Sequence, residues 1–295
     1  MADIRNYKQM RLIEIYDNAY INAFINKYNL TSNIVSDNFV TFDECLSSIE
    51  LCSKCTGIKN CKQGKKGEII GLAYDGVVSN TCIYCKQYMF IDNLESLKKS
   101  YVYSDIPLFR YDLFMDNISL NEDETKRLFG ICYGVYEGEN KKGLYLYGTL
   151  GVGKTYMCMA LANSLVKKGK KVAFIKINDF VTKMSELIRE DVNEYERLIT
   201  SIKKAEYLFI DDIGSEPVTE FSRDRLMFNI LDYRMENKLC TFFTSNLDRK
   251  ALYEHYLKDG DSIKAERILE RIEMLSDDYC LKGTNKRRVT QWLEK

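Results

Sequence analysis

The sequence predicts an α/β fold, in which helices cover both faces of a parallel sheet, preceded by a smaller helical domain rich in cysteine. Three observations support this prediction. Apolar runs alternate with helical segments in the second half of the chain, a glycine-rich loop at residues 148–155 stands between such a run and a helix, and five cysteines fall between Cys52 and Cys85. Strands that alternate with helices are typical of a parallel sheet.

Length and charge limit the class of protein. A chain of 295 residues has room for about two domains, which we place at residues 1–100 and 101–295. Its 43 acidic and 43 basic residues balance, so there is no overall basic field that would indicate nucleic acid, although a local patch stays open. No apolar run approaches the roughly 18 residues of a membrane span, and the first residues lack a signal peptide's apolar segment. We therefore expect a cytoplasmic protein with no membrane partner.

The N-terminal residues show helical periodicity. Between residues 2 and 28, apolar side chains such as Met10, Ile13, Tyr20 and Phe24 recur at helical spacing. This pattern predicts a helix that packs on its own domain, or one whose apolar face binds a partner.

The cysteine-rich segment has the spacing of a zinc site. Two Cys-x-x-Cys pairs, Cys52 with Cys55 and Cys82 with Cys85, enclose a strand-like run, and Cys61 lies between them. Four thiolates suit the tetrahedral geometry of Zn²⁺, which also stabilises a segment with little core of its own. We predict zinc bound by the two pairs, with Cys61 as the alternative ligand. A redox pair is less favoured, because no βαβ unit surrounds it.

Residues 92–140 connect the two domains. Leu94 to Tyr103 has the pattern of a helix, Pro107 interrupts it, and an acidic helix start follows at Asn121.

The segment GTLGVGKT matches the phosphate-loop pattern G-x-x-x-x-G-K-[ST] at every position. An apolar run precedes it as a strand, and a helix follows from Tyr156. Its glycines let backbone N–H groups point at an anion, next to the positive end of the helix. Lys154 would reach the β- and γ-phosphates of ATP, and the Thr155 hydroxyl would bind Mg²⁺. The residues expected to contact the nucleotide are Gly148, Thr149, Leu150, Gly151, Val152, Gly153, Lys154, Thr155 and Tyr156.

Three more apolar runs follow this loop, and helical segments separate the first two of them. The first run is Val172–Lys176, the second ends in Asp211 and Asp212, and the third leads into Asn246. Ligands of parallel sheets bind at the carboxyl ends of the strands, where these polar residues stand.

The acid pair has the pattern of the Walker B motif, an apolar strand that ends in carboxylates. Asp211 would hold Mg²⁺, and Asp212 would orient and polarise the attacking water. Asn246 would reach the γ-phosphate or that water. Together with the phosphate loop, these residues predict an ATPase.

A helix near the C-terminus carries Arg267 and Arg271 four residues apart, hence on one face. Either they pair with the neighbouring glutamates, or one acts as an arginine finger on the phosphates bound by another subunit. The second interpretation requires self-association of the ATPase domain.

With these residues in place, the chain resembles the bacterial helicase loaders of the DnaI/DnaC type, which are AAA+ ATPases. The segments that carry the resemblance are GLYLYGTLGVGKTY, LFIDDIGSEPV, RDRLMFNILDYRMENKLCTFFTSNL, KAERILERI and the tail GTNKRR. They cover about residues 100–290. In that family a histidine helps to hold the zinc ion, whereas His255, the single histidine here, is far from the cysteines in sequence.

The resemblance implies a function in DNA replication. The N-terminal domain would bind the replicative hexameric helicase, and the ATPase domain would bind ATP and single-stranded DNA, so that the helicase is placed on DNA together with other primosome proteins. It also implies that Asn246 is the sensor 1 residue and Arg271 the arginine finger, with Arg267 beside it. Single-stranded DNA would bind near residues 183–195.

Three other functions are alternatives to the helicase loader. One is a transposition helper that resembles IstB, against which the cysteine-rich domain argues. A metabolic P-loop kinase would need a lid and an acceptor pocket, neither of which the sequence suggests. A zinc module with a degenerate ATPase disagrees with the intact Lys154, Asp211 and Asp212.

Overall fold

The computed structural model describes residues 2–257 and 261–286. The chain forms two compact units that divide between Asn93 and Leu94. The division falls within helix Lys86–Lys99, and the domain boundary expected near residue 100 lies at the end of that helix. The sequence pattern had predicted this helix at Leu94–Tyr103, and its observed start lies directly after Cys85.

The first unit consists of four helices, a hairpin and the start of a fifth helix, which continues into the second unit. Its elements are α1 (Ala2–Asp17), α2 (Ala19–Lys27), α3 (Ser32–Asp37), α4 (Phe39–Ser53), β1 (Glu68–Tyr74), β2 (Val78–Tyr84) and α5 (Lys86–Lys99). The side chains of Asn18 and Thr31 accept backbone N–H groups at the starts of α2 and α3, which fixes where these helices begin. β1 and β2 pair in antiparallel register, with Ile70 opposite Cys82.

An apolar core joins the helices of this unit to its hairpin. It contains Ile15, Ile21, Val35 and Phe42, all fully buried. Only some of the apolar positions predicted from periodicity are therefore buried. Met10 and Ile13 on α1 are exposed, whereas Ile15 is buried.

Polar contacts hold α1 against α4. Arg11 donates from Nε to Asp43 Oδ1 at 2.5 Å and from Nη1 to Glu50 Oε1 at 2.7 Å. Arg11 thus fixes one side of α1 against α4, while Met10 and Ile13 of the same helix remain exposed.

The second unit contains a parallel sheet, which confirms the predicted fold class. Within residues 2–257 and 261–286 it has six strands in the order β3-β5-β6-β7-β4-β8, and every neighbouring pair is parallel. The strands are β3 (Tyr103–Ser104), β4 (Gly143–Tyr147), β5 (Val172–Lys176), β6 (Tyr207–Asp211), β7 (Cys240–Ser245) and β8 (Ser276–Cys280). The four strands predicted from apolar runs occupy the centre.

Helices pack on both faces of this sheet. They are α6 (Asp123–Glu137), α7 (Lys154–Lys167), α8 (Ile177–Glu190), α9 (Val192–Lys203), a π-helix (Glu220–Met227) that leads into α10 (Phe228–Glu236), α11 (Arg249–Tyr256) and α12 (Ser262–Leu275). One apolar core includes Leu161 and Phe209, and the other includes Phe243 and Ile268. Residues that alternate along a strand enter different cores, so the sheet is buried on both faces. Ligands of such sheets bind at the carboxyl ends of the strands.

Candidate nucleotide and magnesium site

The phosphate loop connects β4 to α7, as the sequence predicts. Three glycines adopt positive φ angles, 146° at Gly148, 80° at Gly151 and 110° at Gly153. Residues with a side chain rarely adopt these backbone conformations, so glycine is required at each position. Gly153 is the residue before α7, a helix of 14 residues, and the loop therefore lies at the positive end of that helix.

Lys154 joins the loop to Asn246, the residue that follows β7. The lysine is only 5% exposed, and its Nζ donates to Gly148 O at 2.7 Å, to Thr149 O at 3.0 Å and to Asn246 Oδ1 at 2.9 Å. The cation expected to meet the phosphates and the predicted sensor 1 residue are therefore in direct contact.

Thr155 and Asp211, the two predicted magnesium ligands, are also in contact. Thr155 Oγ1 donates to Asp211 Oδ1 at 2.8 Å. Thr244 Oγ1 donates to the same oxygen at 2.6 Å. Hydroxyl and carboxylate oxygens are the ligands that Mg²⁺ uses in nucleotide sites, and these residues accordingly fit the ion.

Burial of Asp211 changes its acidity. The side chain is 4% exposed, and burial raises its pKa to about 6, an effect to which the charge of Asp212 adds. A carboxyl group with a raised pKa binds a cation more readily than an ordinary surface carboxylate, because the cation relieves its unfavourable burial.

Asp212 has a strained backbone at the end of the same strand. Its φ is 60°, a left-handed conformation that costs energy for a residue with a side chain. The Asp212 N–H donates to Thr244 Oγ1 at 3.0 Å, and Ser215 Oγ donates to the Asp212 carbonyl at 2.6 Å. These bonds hold the half-buried side chain of Asp212 next to Asp211.

Two groups of contacts at this site are not predicted from the sequence. Thr244 was assigned only to a strand, although its position two residues before Asn246 placed a hydroxyl at the strand end. The second group is the C-terminal segment. The Leu281 N–H donates to Tyr147 O at 2.8 Å, and the Lys286 N–H donates to Gly151 O at 3.0 Å.

This segment also restricts the loop glycines. A Cβ atom at Gly151 would lie 2.1 Å from Asn285 Oδ1, and one at Gly148 would lie 2.3 Å from Leu281 O. Lys286 Nζ pairs with Glu122 Oε2 at 3.3 Å. Of the tail quoted in the resemblance, Arg287 and Arg288 lie outside the described residues.

Arg271 is bound within its own chain. Its Nε donates to Asp232 Oδ1 at 3.1 Å, its Nη1 to Glu270 Oε2 at 2.5 Å, and its guanidinium lies 4.9 Å from the centre of the Phe228 ring. Arg267 is exposed and lies over the same ring at 4.1 Å. Both arginines lie on one face of α12, as their spacing predicts.

The cysteines of the first unit converge only in part. Cys52, Cys55, Cys61 and Cys85 line one cavity of about 220 Å³, whereas Cys82 is absent from its lining. Within residues 2–257 and 261–286, no three His, Cys, Asp or Glu side chains lie close enough to hold a metal ion. The structure thus does not assemble the predicted ligand set, and Cys61 takes the place of Cys82 in the cavity.

Hydrogen bonds reach the sulfurs that line this cavity. Backbone N–H groups donate to Cys55 at 3.4 Å, to Cys61 at 3.5 Å and to Cys85 at 3.3 Å, and Gln63 Nε2 donates to Cys52 at 3.1 Å. The bond from Gly67 N–H is the main cause that lowers the pKa of the Cys61 thiol. Such donors favour thiolates over thiols.

The segment expected to bind single-stranded DNA spans parts of α8 and α9. Lys183 Nζ lies over the Tyr103 ring at 4.6 Å, and Tyr195 packs against Phe221. None of the helices in the described ranges has the length and apolar character needed to cross a membrane.

Comparison with known proteins places this site in a family. Over 282 residues the chain is 27% identical to the replicative helicase loader DnaI of Bacillus subtilis (strain 168), covering 90% of this chain and 89% of that protein. It is 30% identical over 149 residues to the insertion sequence IS21 ATP-binding protein of Pseudomonas aeruginosa, covering 50% of this chain and 54% of that one.

A solved structure and a family match agree with these relatives. The crystal structure of DnaI superposes with a TM-score of 0.56 at 30% identity, over 62% of this chain and 98% of that one. These similarities confirm the resemblance to DnaI/DnaC-type loaders and the AAA+ fold. Residues 114–292 match the family described as IstB-like ATP binding protein, and the chain therefore belongs to the IstB-like ATP-binding proteins.

Proposed function

We propose that this protein is an ATP-controlled loader that binds the replicative DNA helicase and places it on single-stranded DNA. The observation that carries the proposal is the extent of similarity to the DnaI loader. It runs along 90% of the chain and so extends into the N-terminal unit, which lies before the family match at residues 114–292.

The N-terminal unit supplies a surface suited to a protein partner. Met10 and Ile13 are large apolar residues of α1 that stay exposed, while Tyr7 and Arg11, one turn apart, both bind Asp43 of α4. Exposed apolar patches commonly mark protein interaction sites. In the proposed function this surface binds the hexameric helicase.

The ATPase unit supplies the control by nucleotide. The loop N–H groups and Lys154 would bind the phosphates of ATP, and Thr155 and Asp211 would hold Mg²⁺, which neutralises phosphate charge when bound. Asp212 would orient the attacking water as a base, and Asn246 would hold the γ-phosphate or that water through its amide. Hydrolysis by this site is the proposed ATPase activity.

Arg271 would complete the site of a neighbouring subunit. An arginine finger stabilises the charge that develops on the transferred phosphoryl group. Because Arg271 pairs with Asp232 in the single chain, this function requires the guanidinium to leave that carboxylate when subunits associate. Self-association through the ATPase unit is therefore part of the proposal.

We further propose that the cysteine cavity binds zinc, with Cys52, Cys55, Cys61 and Cys85 as ligands in place of the set that contains Cys82. Support comes from the shared cavity and from the hydrogen bonds to all four sulfurs. In the described arrangement the four sulfurs are not close enough to share an ion, so binding would draw them together and add folding energy.

The proposed setting is the cytoplasm, with single-stranded DNA and other primosome proteins as further partners. Segment 183–195 remains our proposal for the DNA contact. A transposition helper is the second candidate, and the IS21 relative favours it. That relative matches 50% of this chain, and the N-terminal unit is what separates the two candidates.

Affinity capture tests the proposed function. The immobilised full chain is incubated with the replicative helicase of its own organism, with MgATP or without nucleotide, and the same is done for Lys154→Ala. We expect capture of the helicase, changed by MgATP in wild type and insensitive to it in Lys154→Ala. Capture that is unaffected by removing residues 1–93, or no capture at all, contradicts the loader and favours the transposition helper.

A further inference from the structure

A buried carboxylate closes the turn that follows the acid pair. Residues 212–216 carry the chain away from the end of β6, and the Gly214 N–H donates to Glu216 Oε2 at 2.8 Å. The Glu216 side chain is only 2% exposed. Burial is unfavourable for a carboxylate unless hydrogen-bond donors satisfy its oxygens, so the partners of Glu216 matter to the structure of this turn.

The second oxygen of Glu216 is bound by α11. Tyr256, the last residue of that helix, is 1% exposed and donates its hydroxyl to Glu216 Oε1. Arg223 of the π-helix is equally buried and donates from Nη1 to Tyr256 O at 3.1 Å. The turn is therefore anchored on the end of α11, and that end is held in turn by the π-helix, an element that is rare and frequently found at functional sites.

The anchor extends as far as α12. Arg223 donates from Nε to Asp224 Oδ1 at 2.6 Å, and Lys264 Nζ of α12 lies 3.3 Å from Asp224 Oδ2. Three helical elements thus fix the position of the carboxylate that closes the turn.

The backbone of the turn is strained at two points. Asp212 has a φ of 60° and Gly214 a φ of 87°, and a Cβ atom at Gly214 would lie 2.8 Å from Leu247 Cδ1. A left-handed conformation at a residue with a side chain persists only where the surrounding structure holds it. The bond from Gly214 to Glu216 lies two residues from Asp212 and supplies such a restraint.

The contacts of Glu216 require a group that only accepts hydrogen bonds. Its two oxygens meet one N–H donor and one O–H donor, from Gly214 and Tyr256. A glutamine amide has one oxygen and one NH₂ group, so that one of the two donors would face another donor. An apolar side chain would leave both donors unsatisfied, at a cost for each of them.

We propose that Glu216 is a positioning residue for ATP hydrolysis, which acts through the turn at residues 212–216 to hold the Asp212 carboxylate towards the attacking water, with Tyr256 as its anchor. This inference rests on the proposed function and deepens it, because it explains how Asp212 is kept in place. Glu216 itself contacts neither the nucleotide nor the magnesium ion in this proposal.

The test measures the rate of hydrolysis and the nucleotide affinity separately in the full chain. Single-turnover hydrolysis of radiolabelled MgATP gives the rate, and equilibrium titration with a fluorescent ATP analogue gives the affinity. The variants are Glu216→Gln and Tyr256→Phe. The matched control is Tyr111→Phe, which also removes a buried phenol hydroxyl, but one that is bonded to Ser104 of β3.

We expect Glu216→Gln to lower the rate by at least about tenfold, which is part of the roughly 10²- to 10⁴-fold that a positioned proton acceptor contributes. Its nucleotide affinity should stay within about twofold of wild type, because the phosphate loop is intact. Tyr256→Phe keeps the bond from Gly214 and should show a smaller loss of the same kind, and it carries the test if Glu216→Gln does not fold. The control should match wild type in both measurements.

A second background separates positioning from general destabilisation. In an Asp212→Asn protein, Glu216→Gln should lower the residual rate no further, because the carboxylate through which Glu216 acts is already gone. A residue that only stabilised the fold would lower the rate by the same factor in both backgrounds.

Wild-type rates in both Glu216→Gln and Tyr256→Phe overturn the proposal. The same factor of loss with and without the Asp212 carboxylate also overturns it, and so does a loss of affinity as large as the loss of rate. A wild-type protein that binds MgATP without hydrolysing it contradicts the proposed ATPase activity instead, before any variant is compared.

Discussion

Thr155 and Asp211 share a hydrogen bond of 2.8 Å although 56 positions separate them in the chain. One belongs to the start of α7 and the other to the end of β6. The fold thereby joins the phosphate loop to the acid pair, which is the condition for a single magnesium nucleotide to touch both.

Asp211→Asn is expected to stabilise the nucleotide-free protein at pH 8. The folded-state pKa is raised from 3.8 to about 6, so the folded protein keeps a proton that the unfolded chain releases. Wild-type stability therefore falls as the pH rises from about 4 to about 6, and stays reduced above that range. The shift corresponds to about 3 kcal/mol as an upper bound.

Urea unfolding at pH 4 and pH 8 measures this effect. Asparagine keeps the oxygen that accepts from Thr155 and Thr244, so the difference between variant and wild type isolates the charge. The variant should exceed wild type at pH 8 and approach it at pH 4. Equal differences at the two pH values would mean that Asp211 is not forced to ionise against its burial.

The sequence predicted the centre of the sheet because its strands are continuous apolar runs buried on both faces. The edge strands were not predicted, because they lack such apolar runs. β3 has two residues, and β8 has the sequence SDDYC with Asp277 and Asp278 exposed, so neither edge shows an apolar run. These segments are strands because they pair with β5 and β4, and local composition does not predict such pairing.

The side chains of the candidate site were predicted from the sequence, but one of its backbone contacts was not. Lys154, Thr155, Asp211 and Asn246 were identified because phosphate and Mg²⁺ chemistry demands these residue types at strand ends, and the structure brings them together. The contact of Lys286 with Gly151 was not foreseen, because a backbone bond carries no residue signature.

Arg271→Ala is expected to keep ATP binding and to lose turnover. The matched control is Arg267→Ala, on the same face of α12 and over the same Phe228 ring, for which we expect turnover within about twofold. Mixing two inactive variants tests whether the arginine finger acts on a neighbouring subunit. Arg271→Ala and Lys154→Ala, each inactive alone, should regain part of the ATPase activity together.

Zinc analysis of the purified chain should find about one ion per chain. Cys61→Ser is expected to lose the metal and to destabilise the N-terminal unit, because a three-thiolate site is incomplete. Cys82→Ser, the control, should retain it. The opposite result would restore the ligand set that contains Cys82, and a folded wild-type protein without zinc would end the zinc proposal.

Lys286→Pro removes the N–H that donates to Gly151 O and should weaken MgATP binding by about fivefold, as expected for one hydrogen bond. Lys286→Ala keeps that N–H and loses only the side chain paired with Glu122. Stopped-flow displacement of a fluorescent ATP analogue would locate the loss in a faster dissociation rate. Equal rates for the two variants would show that the backbone bond does not support the loop.

A double-mutant cycle tests the central claim most directly, that Lys154 and Asp211 grip one magnesium nucleotide together. Isothermal titration gives the MgATP affinity of wild type, Lys154→Ala, Asp211→Asn and the double variant. Residues that share a ligand are coupled, so we predict that the double variant binds about tenfold more tightly than the product of the single losses requires. Strictly multiplicative losses would contradict a shared site.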